Sequence, residues 1–212
     1  MKELKYIHIP KCAGKSIKLY LKKTNKNNKI YYINFESGHK PANYNGATIF
    51  FKNKKKINAN DQLICFVRNP YSRVISMYHY HKFNKKYKNF NEFIKKIYED
   101  KELVEYLKDT KFLYPKRNYY LLKTTLGTDV AYSWKQCSTW ISGNNFFYLG
   151  KIENISEDLK KICEKLKVMF NENFIHINKS NHKDYRSYYN EKSKKIIEEI
   201  YNDDLINFDY KF

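Results

Sequence analysis

Residues 7–17 read Ile7-His8-Ile9-Pro10-Lys11-Cys12-Ala13-Gly14-Lys15-Ser16-Ile17. An apolar strand runs to Pro10, a short turn carries a glycine, and a helix begins near Ser16. Amides at a helix N-terminus point outward without partners, and the helix dipole favours an anion there. Gly14 lets backbone approach a phosphate, Ser16 offers a hydroxyl, and Lys11 and Lys15 bring positive charge. The plain alternative is an ordinary strand-turn-helix connection with two surface lysines. A Walker A loop, GxxxxGK[ST], would need glycine where Ile9 stands, so only its tail Gly14-Lys15-Ser16 fits.

A second stretch repeats the arrangement: Phe66-Val67-Arg68-Asn69-Pro70-Tyr71-Ser72-Arg73-Val74-Ile75-Ser76-Met77-Tyr78. A buried strand ends in an arginine, and Pro70 and Ser72 start a helix. Open α/β sheets take ligands at the carboxyl ends of their strands. Two such ends with cationic turns imply a ligand carrying two separated anionic groups.

Outward from these stretches, strands and helices alternate. Apolar runs at Leu4–Ile9, Ile30–Phe35, Thr48–Phe51, Leu63–Val67 and Phe146–Leu149 suit strands buried on both faces. Helical patterns cover Ser16–Lys23, Ser72–His81, a segment after Asn154 with Glu157 completing a capping box, and about Tyr188 to Tyr201. Residues 84–120 read as a helical insertion. The expectation is one α/β domain over residues 1–212, with a central, mostly parallel sheet of about five strands flanked by helices.

Composition narrows the function. The chain has 212 residues, is 42% hydrophobic and 17% aromatic, and so carries enough apolar material for a core. No run nears the length of a membrane span, and the N-terminus lacks a signal peptide's apolar segment, which gives a cytoplasmic expectation. Basic residues number 41 against 22 acidic ones, a net charge of +19, yet only four are arginines, Arg68 and Arg73 among them. That balance suits either a polyanionic partner or a solvated lysine-rich surface. No recognised nucleic-acid motif is present, and nucleic acid is not expected as a partner. Cys12, Cys65, Cys137 and Cys163 form no CxxC pair, so neither a disulfide framework nor a zinc site is expected.

Pro10-Lys11-x-x-Gly14-x-Ser16 together with Arg68-Asn69-Pro70-x-x-Arg73-x-x-Ser76-x-Tyr78 resembles the sulfotransferases that use 3′-phosphoadenosine 5′-phosphosulfate, most of all their carbohydrate (heparan and chondroitin) branch. Two further blocks follow in the family's order, Tyr148-Leu149-Gly150-Lys151-Ile152-Glu153-Asn154-Ile155 and His176-Ile177-Asn178-Lys179-Ser180. The resemblance implies a P-loop-kinase-like sulfotransferase fold. It implies that Ala13, Gly14, Lys15, Ser16 and Ile17 hold the 5′-phosphosulfate and that Lys11 contacts the oxygen bridging phosphate and sulfate. It assigns the 3′-phosphate to Arg68 and Ser76, with Lys179 and Ser180 in a closing loop. Lys15 stands where the family usually has threonine or serine. No membrane anchor like that of Golgi relatives is expected.

On this reading, sulfuryl transfer passes in line to a hydroxyl acceptor, a glycan, with charge building on the leaving oxygen. Lysine and backbone donors balance that charge and no metal is required. His39, after the second strand, is the expected base, ahead of His8, His79, His81, His176 and His182; His8 reads as a core residue and His79 and His81 as an exposed helix end. Two alternatives stay open: a P-loop-type nucleotide kinase using Gly14-Lys15-Ser16, and a non-enzymatic polyanion-binding module.

Overall fold

The computed structural model describes residues 4–24, 30–33, 62–110, 126, 131–141, 146–173 and 182–212. They form four strands and eight α-helices. In chain order these are β1 (Leu4–Ile7), α1 (Gly14–Thr24), β2 (Ile30–Ile33), β3 (Gln62–Val67), α2 (Pro70–Tyr80), α3 (Phe90–Glu99), α4 (Lys101–Lys108), α5 (Cys137–Ile141), β4 (Tyr148–Lys151), α6 (Ile155–Leu166), α7 (Glu191–Ile200) and α8 (Asn202–Asn207). The expected strand at Thr48–Phe51 lies outside the described residues. Two compact units emerge: the strands with α1 and α6, and the remaining helices.

In the first unit the sheet order is β2-β1-β3-β4, parallel throughout, with Leu4 opposite both Ile30 and Gln62, and Ile64 opposite Tyr148. Leu4, Tyr6, Ile64 and Phe66 share a core with Ile17, Tyr20 and Leu21 of α1 and Leu159, Ile162 and Cys163 of α6. Ile7, Leu63, Cys65 and Val67 are buried as well. Burial on both faces is why β1 and β3 read as continuous apolar runs rather than alternating ones.

Phe66 pairs with Gly150 across the sheet, and a β-carbon at Gly150 would come within 2.5 Å of the Phe66 ring. That ring is fully buried and has nowhere to retreat. Gly150→Ala is therefore expected to destabilise the fold by about 1–3 kcal/mol through overpacking. A melting curve matching wild type would refute this.

Beyond β4, the expected capping box of α6 is replaced by a different arrangement. Asn154 makes no side-chain cap bond, and Glu157 instead pairs with Lys161 at 2.7 Å on the surface. It is Asp158 that turns inward, accepting from the Lys151 amide at 2.6 Å and the Tyr148 hydroxyl at 2.8 Å. The carboxylate thus satisfies a backbone donor at the strand's end.

The second unit is built on an aromatic core. Tyr71, Val74, Ile75, Met77 and Tyr78 of α2 pack with Phe90, Phe93 and Ile94 of α3, Leu103 and Leu107 of α4, and Ile196, Ile197 and Ile200 of α7. Here α2 starts at Pro70, with Asn69 as its cap: the Asn69 side chain accepts from the Tyr71 amide at 3.0 Å. Ser72 is inside the helix rather than at its start. The region read as a helical insertion contributes α3 and α4; its remainder, from residue 111, lies outside the described residues.

Candidate functional site: the turn between β1 and α1

Leaving β1, the chain turns sharply over Pro10–Ala13 and enters α1 at Gly14, two residues before the expected start. The turn holds two non-glycine residues in the left-handed region, Lys11 at φ 63° and Ala13 at φ 51°, whereas Cys12 between them is not left-handed. Such φ values cost L-residues energy and tend to cluster where function demands a special backbone. Alternating hand along successive residues turns their amides toward one side, the geometry of an anion-binding concavity. The first bond of α1 runs from the Ile17 amide to the Ala13 carbonyl at 3.1 Å. The amides of Gly14, Lys15 and Ser16 precede it, in the region where a helix dipole favours an anion.

Two cations stand at this turn. Arg68, the first residue past β3, donates from Nη1 to the Lys11 carbonyl at 3.2 Å. This ties the two strand ends read from sequence into one cationic locus. Lys11 itself is half-buried, and burial pulls its ammonium down to about 8, with the Arg68 guanidinium pushing the same way. A lysine so poised is charged near neutrality yet poorly solvated, and an incoming anion would relieve both costs.

The remaining expected site residues fall as follows. Lys15 is exposed, and Ser16 is buried at the third position of α1. Ile17 points into the sheet core, and its amide is engaged with Ala13. At Gly14 the space a β-carbon would take is filled by the His8 ring. Ser76 is buried in α2, 2% exposed. His39, Lys179, Ser180 and His176 lie outside the described residues.

His79 and His81, read as an exposed helix end, are half-buried, and so is His8, read as a core residue. In the second unit, His79 Nε2 lies 3.1 Å from the Tyr188 hydroxyl, and its ring stacks on His182 with centroids 5.3 Å apart. Burial and the neighbouring His182 both lower the His79 pKa. His81 reaches Ser133 Oγ at 3.4 Å and packs beside Trp134.

Arg73, the other informative arginine, is a structural clamp. Fully buried, it donates to the carbonyls of Lys135 at 2.7 Å and Ser133 at 2.8 Å. Lys135, also buried, donates in turn to the carbonyls of Tyr106 and Asp109. Asp204 accepts the amides of Cys137 at 2.6 Å and Ser138 at 2.7 Å at the start of α5. Burial pushes the Asp204 carboxyl up, and the Arg73 guanidinium pulls it partly back. Sequence reasoning missed this network because each buried side chain is matched to backbone groups distant in the chain, between 26 and 67 positions away.

Among the described residues no helix is long and apolar enough to cross a membrane, and no group of three or more His, Cys, Asp or Glu could hold a metal ion. A family model described as "Sulfotransferase family" matches residues 2–211, nearly the whole chain. No curated protein and no solved structure matches it.

Proposed function

The chain belongs to the sulfotransferase family, and from that premise we propose that it sulfates a carbohydrate hydroxyl, with the β1–α1 turn holding the 5′ end of the donor. Membership implies 3′-phosphoadenosine 5′-phosphosulfate as donor and a hydroxyl as acceptor. When bound, the donor supplies the sulfuryl group and leaves as 3′,5′-ADP. The observation that carries the reading is the strained turn at Lys11 and Ala13, with Arg68 bonded to its backbone and Lys11 half-buried beside it.

In this reading the amides around Ala13–Ser16 bind phosphosulfate oxygens, and Lys11 holds its proton against the bridging oxygen as charge develops there. Charge balance comes from lysine, arginine and amides, without a metal. Arg68 binds the 3′-phosphate. The assignments of Ser76, Lys179, Ser180 and the base His39 rest on motif resemblance alone. A carbohydrate acceptor is supported by the same resemblance, which is closest to the glycan branch.

The test is calorimetric binding of 3′,5′-ADP, 5′-AMP and ATP with magnesium. Preferential binding of 3′,5′-ADP is expected; preference for ATP with magnesium would favour a nucleotide kinase. Arg68→Ala is expected to weaken 3′,5′-ADP by about 2–5 kcal/mol, as for loss of one partner of a desolvated charge pair, and 5′-AMP far less. Equal losses for both nucleotides would mean that Arg68 acts only through the Lys11 carbonyl.

A further inference from the structure

His8 and Tyr6 project from the same side of the chain as it leaves β1, and their rings stack with centroids 6.4 Å apart and planes 25° from parallel. Tyr6 is 1% exposed and belongs to the core beneath α1 and α6. The His8 ring therefore rests on a fixed base. Its other neighbour is Gly14: a β-carbon built there would collide with Cδ2 and Nε2 of the imidazole. Gly14 is the first residue of α1, directly after the left-handed Ala13. The imidazole thus fits between the end of β1 and the start of α1, at the point where the turn hands its amides to the helix.

We propose that His8 is a positioning residue for the donor-binding turn, and that position 14 must be glycine because the imidazole occupies the side-chain space. This rests on the reading of the turn as the donor site. Left-handed residues persist only where surrounding contacts over-determine them. Arg68 on the Lys11 carbonyl secures one end of this turn, and the ring against Gly14 secures the other. Aim matters because preorganised donors stabilise an anion only where they point, and a displacement of about 1 Å is enough to lose much of the effect. His8 contacts no reacting atom in this account; it acts through the backbone of Gly14.

The test is a double-mutant cycle on the full chain, with 3′,5′-ADP affinity measured by calorimetry and a melting curve for every variant. Gly14→Ala is expected to weaken 3′,5′-ADP binding by about tenfold or more, because ring and β-carbon cannot share the space. His8→Ala is expected to weaken it several-fold. The double variant should bind within about threefold of His8→Ala alone, since removing the ring frees the space for the β-carbon. If Gly14→Ala fails to fold, comparing the double variant with His8→Ala still decides the matter. Additive losses in the double variant would overturn the proposal. So would melting shifts accompanied by unchanged affinity, since a ring that merely fills space has no reason to alter nucleotide binding by the folded protein. If wild type itself ignores 3′,5′-ADP, the donor-site reading fails first and this inference with it. Binding by wild type with no coupling between positions 8 and 14 removes the positioning role alone.

Discussion

Lys11→Ala lowers turnover by about 10²–10³ while 3′,5′-ADP binding changes little. That is the expected result, because a donor aimed at developing charge is worth most in the transition state. The released nucleotide lacks the transferring sulfate, so it makes less use of the Lys11 charge than the reacting donor does. Proton occupancy adds a pH signature. Burial and Arg68 set Lys11 near 8 in the folded protein, below its ordinary 10.5. In the free enzyme kcat/KM for the donor should fall as pH rises through about 8, where the ammonium is lost. Bound anion favours the charged form, so the corresponding fall in kcat should lie at higher pH. The stability sign is opposite to the activity sign. A folded pKa below the unfolded one penalises the charged form, so this penalty is fully present below about 8 and is relieved as pH climbs toward 10.5. Normal turnover in folded Lys11→Ala, or a kcat/KM profile with no fall near 8, would dismiss the assignment.

The second large effect is on stability. Arg73→Ala should cost about 3–5 kcal/mol, the range for removing one partner from a buried charged network. Two backbone carbonyls, of Ser133 and Lys135, lose their donor in a site closed to water, and buried Asp204 loses its nearby cation. In a chain of this size that loss corresponds to a melting shift on the order of 10 °C. Arg186→Ala is the control. Its pairing with Asp184 at 3.7 Å is exposed, and the change should stay within about 0.5 kcal/mol. An Arg73 variant melting with wild type would show that the clamp is dispensable. Arg73 lies in the same motif as Arg68, five residues on, and sequence spacing gave no means to separate a structural arginine from a binding one.

Much of the sheet was written in the chain. Leu4–Ile7 and Gln62–Val67 are apolar enough to be buried on both faces, and helices follow each run, which selects parallel pairing. The turn at Lys11 was recognisable from Pro10, Gly14 and the cations beside them. Less was visible in the glycines. A side chain at position 14 would meet His8, and Gly150 lies opposite Phe66; neither neighbour shows in the residues around them. A signal for the first existed in the period-two alternation that puts His8 on the side of Tyr6, the side that α1 covers. The α6 cap misled for a related reason: Glu157 and Asp158 are adjacent acids, and only the fold shows which one faces the Lys151 amide.

Sequence by itself determined the alternation of strand and helix, the parallel pairing, the cationic turn and the family. The first three follow from periodicity and local backbone chemistry, which act within a few residues, and the family from the resemblance of its motifs. Tertiary structure alone decided that Arg68 grips the Lys11 carbonyl across 57 positions and that burial brings Lys11 near 8. It also decided that Arg73 serves backbone carbonyls and that His8 fills the space at Gly14. Desolvation and steric contact depend on which atoms meet in space, and no local pattern in the chain encodes those meetings.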